Sequence, residues 1–180
     1  MEAVACIKTR RSVRKYTDEM VPHDVFEQIV DAARFAPSWK NTQVVRYVIV
    51  EDADRIRKIC EEGLMGFELN QKTVGRAKQL VIVTYVEKRS GYERDGSYST
   101  SKGAGWEMFD AGVATQTFCL AAHAYGVGSV IMGIFDDQKV GELIDLPENQ
   151  KVAAVLAVGY PAFAPDAPPR KEVSDLVTYR

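Results

Sequence analysis

Three arginines and a serine crowd five positions of the chain, Arg10, Arg11, Ser12 and Arg14 around Val13. On a helix or tight turn, Arg10 and Arg14 would face the same side and converge on one dianion. Guanidinium forks match phosphate oxygens two at a time, and each hydrogen bond to a charged group is worth ~1.5–3 kcal/mol. A solvated basic surface turn uses the same residues, so the local pattern leaves both readings open. A second basic pair, Arg170 and Lys171, follows a proline-rich tail. A third signal is Pro-Ser-Trp-Lys-Asn-Thr-Gln at residues 37–43, directly after a helical pattern. Its hydroxyl and amide groups beside an indole suit the heterocycle of a planar ligand, and equally suit a loop that merely ends a helix.

Other chemistry is missing. There is no G-x-x-x-x-G-K-[ST] phosphate loop, and the pairs Gly103/Gly105 and Gly126/Gly128 lack the third glycine of a dinucleotide fingerprint, with Met108 and Ile131 standing there. The two histidines form no H-E-x-x-H motif. His123 reads as a satisfied histidine buried on an apolar helix, and His23 beside Pro22 as a surface residue at a helix start. Without a G-x-S-x-G elbow, and with Cys119 in mid-helix, no nucleophile stands out. An enzyme with this inventory needs a cofactor.

Composition narrows the classes further. The 180 residues suit one domain, residues 1–180, and 46% are hydrophobic, enough for a real core. Twenty-three Lys and Arg against 25 Asp and Glu give a formal charge of −2, without the basic excess of a nucleic-acid binder. The longest apolar run, residues 152–158, is far short of the ~20 residues of a membrane span. Glu2 and the late arginines reverse the order of a secretory signal, and three scattered cysteines outline neither disulfides nor zinc. The expectation is a cytoplasmic protein with no nucleic-acid or membrane partner and no metal.

Several elements must position the candidate residues. A short helix over 4–9 ends at the basic cluster. Pro22 opens a second, with Val25, Phe26, Ile29, Val30 and Ala33 on one face, and Pro37 stops it. Strands are expected at 44–50, 80–86, 129–134 and 151–158, with helices after Asp52 or Asp54 and over 137–144. Residues 106–125 form the longest helix, apolar nearly all round and therefore central, covered on several faces. The segment 87–105 is a long loop of the kind that carries function. Pro161, Pro165, Pro168 and Pro169 mark a tail, 159–180, which must lie along something else. The class is α+β.

Five motifs then bring a family into view. R-R-S-V-R-K-Y at 10–16, A-P-S-W-K-N-T-Q at 36–43, D-A-G-V-A-T-Q-T at 110–117, G-V-G-S-V-I-M-G-I-F at 126–135 and V-G-Y-P-A at 158–162 occur in order. Together they resemble the flavin-dependent nitroreductase family. The resemblance implies a nitroreductase-like fold, with a central mixed or antiparallel sheet flanked by helices. It also implies a homodimer with a swapped C-terminal tail wrapping the partner subunit and two FMN molecules at the interface. By motif position, Arg10, Arg11, Ser12 and Arg14 belong to the FMN-binding turn. Pro37, Ser38 and Asn41 meet the isoalloxazine ring from the other subunit. Asn70 and Lys72 occupy a place of further polar flavin contacts, Met132 and Gly133 present backbone N–H groups near N5 and O4, and Arg170 and Lys171 are the tail's phosphate contacts.

The activity so implied is FMN-dependent reduction of nitroaromatics, quinones or similar planar acceptors, with NADH or NADPH as donor and ping-pong kinetics. No side chain is catalytic, because flavin N5 carries the chemistry. A cation such as Arg14 near N1 and C2=O stabilises the reduced ring. Relatives of similar sequence perform dehydrogenation, dehalogenation or flavin fragmentation, and a non-catalytic flavin-binding protein is the third reading. The chain is shorter than the better-known bacterial nitroreductases, with 87–105 where a cover over the active site is expected.

Overall fold

A computed structural model describes residues 2–180. Its centre is a four-stranded sheet of β1 (Val45–Val50), β2 (Gln79–Val86), β3 (Gly128–Met132) and β4 (Gln150–Gly159), in the order β1-β2-β4-β3. All three pairings are antiparallel, so the sheet is antiparallel rather than mixed. Side chains alternate across a strand, and β2 uses both faces for apolar groups. Leu80 and Ile82 enter one core with Ile59, Leu64, Val140, Val155 and Ala157, while Val81 and Val83 enter the other with Ile29, Phe118, Ala122, Leu156 and Val158. The apolar run at 152–158 is the sequence trace of this burial on both faces.

Helices cover the sheet on both sides. On one lie α3 (Ala53–Lys58), capped by the Asp52 carboxylate accepting from Arg55 N, then a π-helical turn (Ile59–Gly63), α4 (Glu68–Val74) and α6 (Asp137–Leu143). On the other, α2 (His23–Ala33) packs against α5 (Gly105–Ala124). Phe118 is the largest fully buried side chain and stacks on Tyr47 with centroids 5.1 Å apart. Helix α1 (Ala3–Thr9) docks on α5 through the buried Cys6.

As expected, α5 is covered on several faces, by α2, α1 and the sheet, and Gly105, Met108, Phe109, Gly112 and Gln116 form one exposed face along its length. Uniform apolarity hides which face is covered, because it gives no stripe to point inward. His123 is half-exposed rather than buried, since it lies near the C-terminal end of α5 where the helix leaves the core.

The tail begins along its own chain. Thr17 N donates to Tyr160 O (2.9 Å), Ala162 N donates to Lys15 O (3.1 Å), and the Lys15 ammonium sits over the Phe163 ring. Residues 166–180 are exposed.

At the sheet margin, Glu51 accepts from His23 Nε2 (2.7 Å) and from Gln79 Nε2 (2.6 Å). Buried Gln79 also brackets Val21, accepting from its N–H and donating to its carbonyl. The Glu51 hydrogen bond holds His23 above its ordinary pKa, and the same bond followed by that from Gln79 holds Glu51 below its own. Stability from the raised histidine is complete below its unfolded pKa of about 6.5 and is lost as pH rises through the folded value. The carboxylate's share is present above about 4.3 and is lost as pH falls through its own folded value. His23→Ala should therefore lower the melting temperature slightly at about pH 6 and hardly at all above about pH 8. Equal losses at both would contradict the pairing.

Candidate functional site

The basic turn is held from three directions. Helix α1 ends at Arg10, whose N–H donates to Cys6 O (3.0 Å). The chain then runs extended, with Ser12 bridged to Ser129 and Val13 N donating to Ser129 O (3.0 Å). Val13 packs so closely on β3 that a Cβ at Gly128 would meet its side chain at 2.8 Å, so only glycine serves there. Beneath, the Tyr16 hydroxyl reaches Val13 O (2.5 Å) and Ala157 O (2.9 Å), and burial pushes the phenol well above its ordinary pKa. The segment is extended rather than helical. With Val13 buried, Ser12 and Arg14 fall on the opposite, open side.

Arg10, Arg11, Ser12 and Arg14 line one cavity of about 350 Å³ together with Pro165, Asp166, Pro168 and Arg170. Among the described residues, no carboxylate is paired with any of these four arginines. Arg11 turns back to donate to Lys8 O and Arg10 O, and Arg170 donates to the carbonyls of Pro168 and Pro169. Arg10 Nε is buried without a hydrogen-bond partner. Lys171 is exposed and does not line the cavity.

His123 stands beside this turn. Thr9 Oγ1 donates to Ala5 O (2.8 Å) and so accepts from His123 Nε2 (2.9 Å). Burial, then the charges of Arg10 and Arg11, hold the imidazole below its ordinary pKa. A neutral His123 adds no charge to the basic cluster at neutral pH.

The loop 37–43 lies elsewhere. Lys40, Asn41 and Gln43 all have positive φ (44°, 55° and 50°), a costly conformation for residues with a Cβ. Ser38 Oγ accepts from Gln43 N (2.9 Å), and Trp39 N donates to Asp110 Oδ2 (2.9 Å). The Trp39 ring lies 4.6 Å from that of Trp106, yet its Nε1 is buried without a partner. Pro37 and Ser38 line a second cavity of about 360 Å³, with Val30, Tyr47, Asp110 and Ala114. Asn41 is exposed and does not line it.

Asn70 and Lys72 part company on α4. Buried Asn70 donates from Nδ2 to Ile134 O (3.1 Å) and so braces the backbone after β3, where Met132 is buried and Gly133 open. Lys72, two residues on and exposed, pairs with Glu68 (2.8 Å).

The sequence reading missed two buried carboxylates on α5. Asp110 accepts from both Trp39 N and Ser90 Oγ, and Glu107 accepts from Lys88 N (2.5 Å), its pKa raised by burial. The available signal was an acidic residue at each of two successive turns of an otherwise apolar helix. Between them they tie down the segment 87–105, in which Tyr92 and Tyr98 form a β-bridge with rings 4.9 Å apart.

Comparison with known proteins places the chain. A provisionally named NADH dehydrogenase/NAD(P)H nitroreductase of Archaeoglobus fulgidus is 31% identical over 164 residues, covering 89% of this chain and 86% of that protein. An iodotyrosine deiodinase of Thermotoga neapolitana is 29% identical, with 92% of each chain covered. The crystal structure of a provisionally assigned nitroreductase in complex with FMN from Desulfovibrio desulfuricans superposes with a TM-score of 0.79 at 26% identity, covering 100% of this chain and 97% of that one. The model of the nitroreductase family matches residues 7–160, and the chain belongs to that family.

Proposed function

We propose that the chain is an FMN-dependent NAD(P)H oxidoreductase that works as a homodimer on planar acceptors such as nitroaromatics and quinones. The observation that carries this reading is the cavity of Arg10, Arg11, Ser12, Arg14 and Arg170, with a buried Arg10 Nε that no group among the described residues satisfies. A phosphate monoester matches that donor set, and the one carboxylate on the rim, Asp166, is in no ion pair with it. In this reading Arg10, Ser12 and Arg170 take the phosphate and ribityl end, and Arg14 the pyrimidine edge. Asn70 holds the open backbone at Met132 and Gly133 against the ring. Bound there, FMN supplies the hydride chemistry that no side chain of this inventory offers.

The second half of the site supports a dimer. The basic turn docks near His123 and the loop 37–43 docks at Asp110, 13 residues apart on α5. At ~1.5 Å per residue that is roughly 20 Å of helix. Pro37, Ser38 and Asn41 then serve a flavin held by the partner subunit, and the open face of α5 is the surface that meets it. The exposed Val173, Leu176 and Tyr179 of the tail have the character of a segment covered by the second protomer. Lys171 and Lys72 retain a role at the cofactor only if that docking reorients them.

No helix among the described residues is long and apolar enough to cross a membrane, and a cytoplasmic location belongs to the same reading. Anaerobic titration tests the activity. NADH or NADPH should bleach the yellow protein and a nitroaromatic or quinone should restore it, with ping-pong kinetics in steady state. The likeness to an iodotyrosine deiodinase favours a second reading, reductive dehalogenation on the same fold. Extremely slow bleaching by both nicotinamides, with dithionite-reduced flavin rapidly reoxidised by a haloaromatic that releases halide, would replace the first reading by that one.

A further inference from the structure

Asp110 sits where two loops meet. It is 3% exposed, and its Oδ2 accepts from Trp39 N (2.9 Å) in one loop and from Ser90 Oγ (2.5 Å) in the other. Ser90 is itself fully buried, and its oxygen lies 2.7 Å from Thr42 Oγ1. A hydroxyl has one proton to give, so Ser90 donates to the carboxylate and Thr42 donates to Ser90. The strained stretch Lys40–Asn41–Gln43 is thus referred to one carboxylate at two points, through Trp39 before it and Thr42 within it. Other attachments are the Trp39–Trp106 ring contact, also on α5, the exposed pair of Lys40 with Glu93 (2.9 Å), the Gln43 N–H donating to Ser38 Oγ (2.9 Å) and Arg46 Nη1 donating to Gln43 O (2.8 Å).

We propose that Asp110 is a positioning residue for the reaction. Its carboxylate locks the loop 37–43 and the base of the segment 87–105 into one rigid unit, and so fixes Pro37, Ser38 and Asn41 relative to the isoalloxazine ring. The inference rests on the reading of this loop as the ring-facing part of the cofactor site. The physics is that of strain held in place. Three non-glycine residues keep left-handed dihedrals only where their surroundings over-determine them, and a charged acceptor shared by two donors does so more strongly than a neutral one. With the carboxylate removed, the loop relaxes toward ordinary dihedrals and Ser38 and Asn41 move with it. The segment 87–105 then acts as a fixed buttress at its base, not as a free lid.

The test uses the dimer saturated with FMN and compares Asp110→Ala, Asp110→Asn and Ser90→Ala with the wild type. Asp110→Ala should lose about tenfold or more in kcat/KM for the acceptor per bound flavin, because misplacement by an ångström is enough for such a loss. The near-UV circular dichroism of the Trp39–Trp106 pair should collapse with it. Asp110→Asn, which keeps the shape and one acceptor oxygen, should recover most of both, and Ser90→Ala should fall between. A carboxylate that serves stability alone would lower the melting temperature of the variants and leave kcat, KM and the tryptophan signal per flavin unchanged, and that result overturns the proposal. Should Asp110→Ala fail to fold, unchanged kcat/KM in both other variants overturns it equally. A wild type that takes up no FMN contradicts the cofactor reading instead, and shows itself before any variant is made.

Discussion

Arg10→Ala is expected to weaken FMN binding by about ten- to a hundredfold, while Arg89→Ala leaves it unchanged. The two arginines carry the same formal charge, so general attraction for an anion is matched between them. Their surroundings differ. Arg10 lines the cavity beside Ser12, Arg14 and Arg170, and its buried Nε has no hydrogen-bond partner among the described residues. Arg89 is exposed on the segment 87–105. A hydrogen bond to a charged group contributes ~1.5–3 kcal/mol, and loss of one or more gives the stated range. Equilibrium dialysis against FMN measures both variants, and equal retention in the two would remove the phosphate role of the basic turn.

Gly112→Arg is expected to halve the mass of the protein in sedimentation equilibrium and to cost it FMN. Within one chain this glycine has no structural reason. A Cβ there meets nothing within 4 Å, and it stands mid-way along a 20-residue helix. An exposed helical glycine costs ~1 kcal/mol relative to good helix formers, so the substitution favours the isolated helix. In the proposed dimer, glycine here permits a close approach at the exposed face it shares with Gly105, Met108 and Phe109. Arginine planted on that face obstructs the approach and, at a two-fold axis, faces its own copy. A dimer that survives would show that this face is not the interface. A monomer that binds FMN with undiminished affinity would show that one protomer completes the site.

Much of this was legible in the sequence, for reasons that differ by element. The central strands read clearly because helices on both sides make nearly every residue of β2 and β4 apolar. Helix α2 read clearly because Pro22 marks its start and its buried Phe26, Ile29 and Ala33 recur at helical spacing. Helix α4 went unread. Its buried residues are Asn70, Thr73 and Val74, two of them polar, and exposed Leu69 blurs the stripe further. The open face of α5 was hidden by its own composition, since a helix apolar nearly all round does not say which side the rest of the chain leaves uncovered.

The candidate site divides in the same way. The basic turn was visible because its residues are neighbours in sequence, and the five motifs pointed to the family that matches residues 7–160. The clamp at Asp110 was not, because its partners Trp39 and Ser90 lie 71 and 20 residues away and only the packing of α5 brings them together. His123 shows the converse error: apolar sequence neighbours suggested burial, and the end of the helix left the ring half-open beside Thr9.

The visible absorption spectrum of the purified protein, read with its FMN-to-chain ratio, bears most directly on all of this. A yellow dimer holding one FMN per chain, or a colourless one that takes up that amount on titration, is what the arginine-lined cavity predicts. A folded protein that stays colourless in excess FMN would leave Arg10 and its neighbours without the ligand on which the account depends.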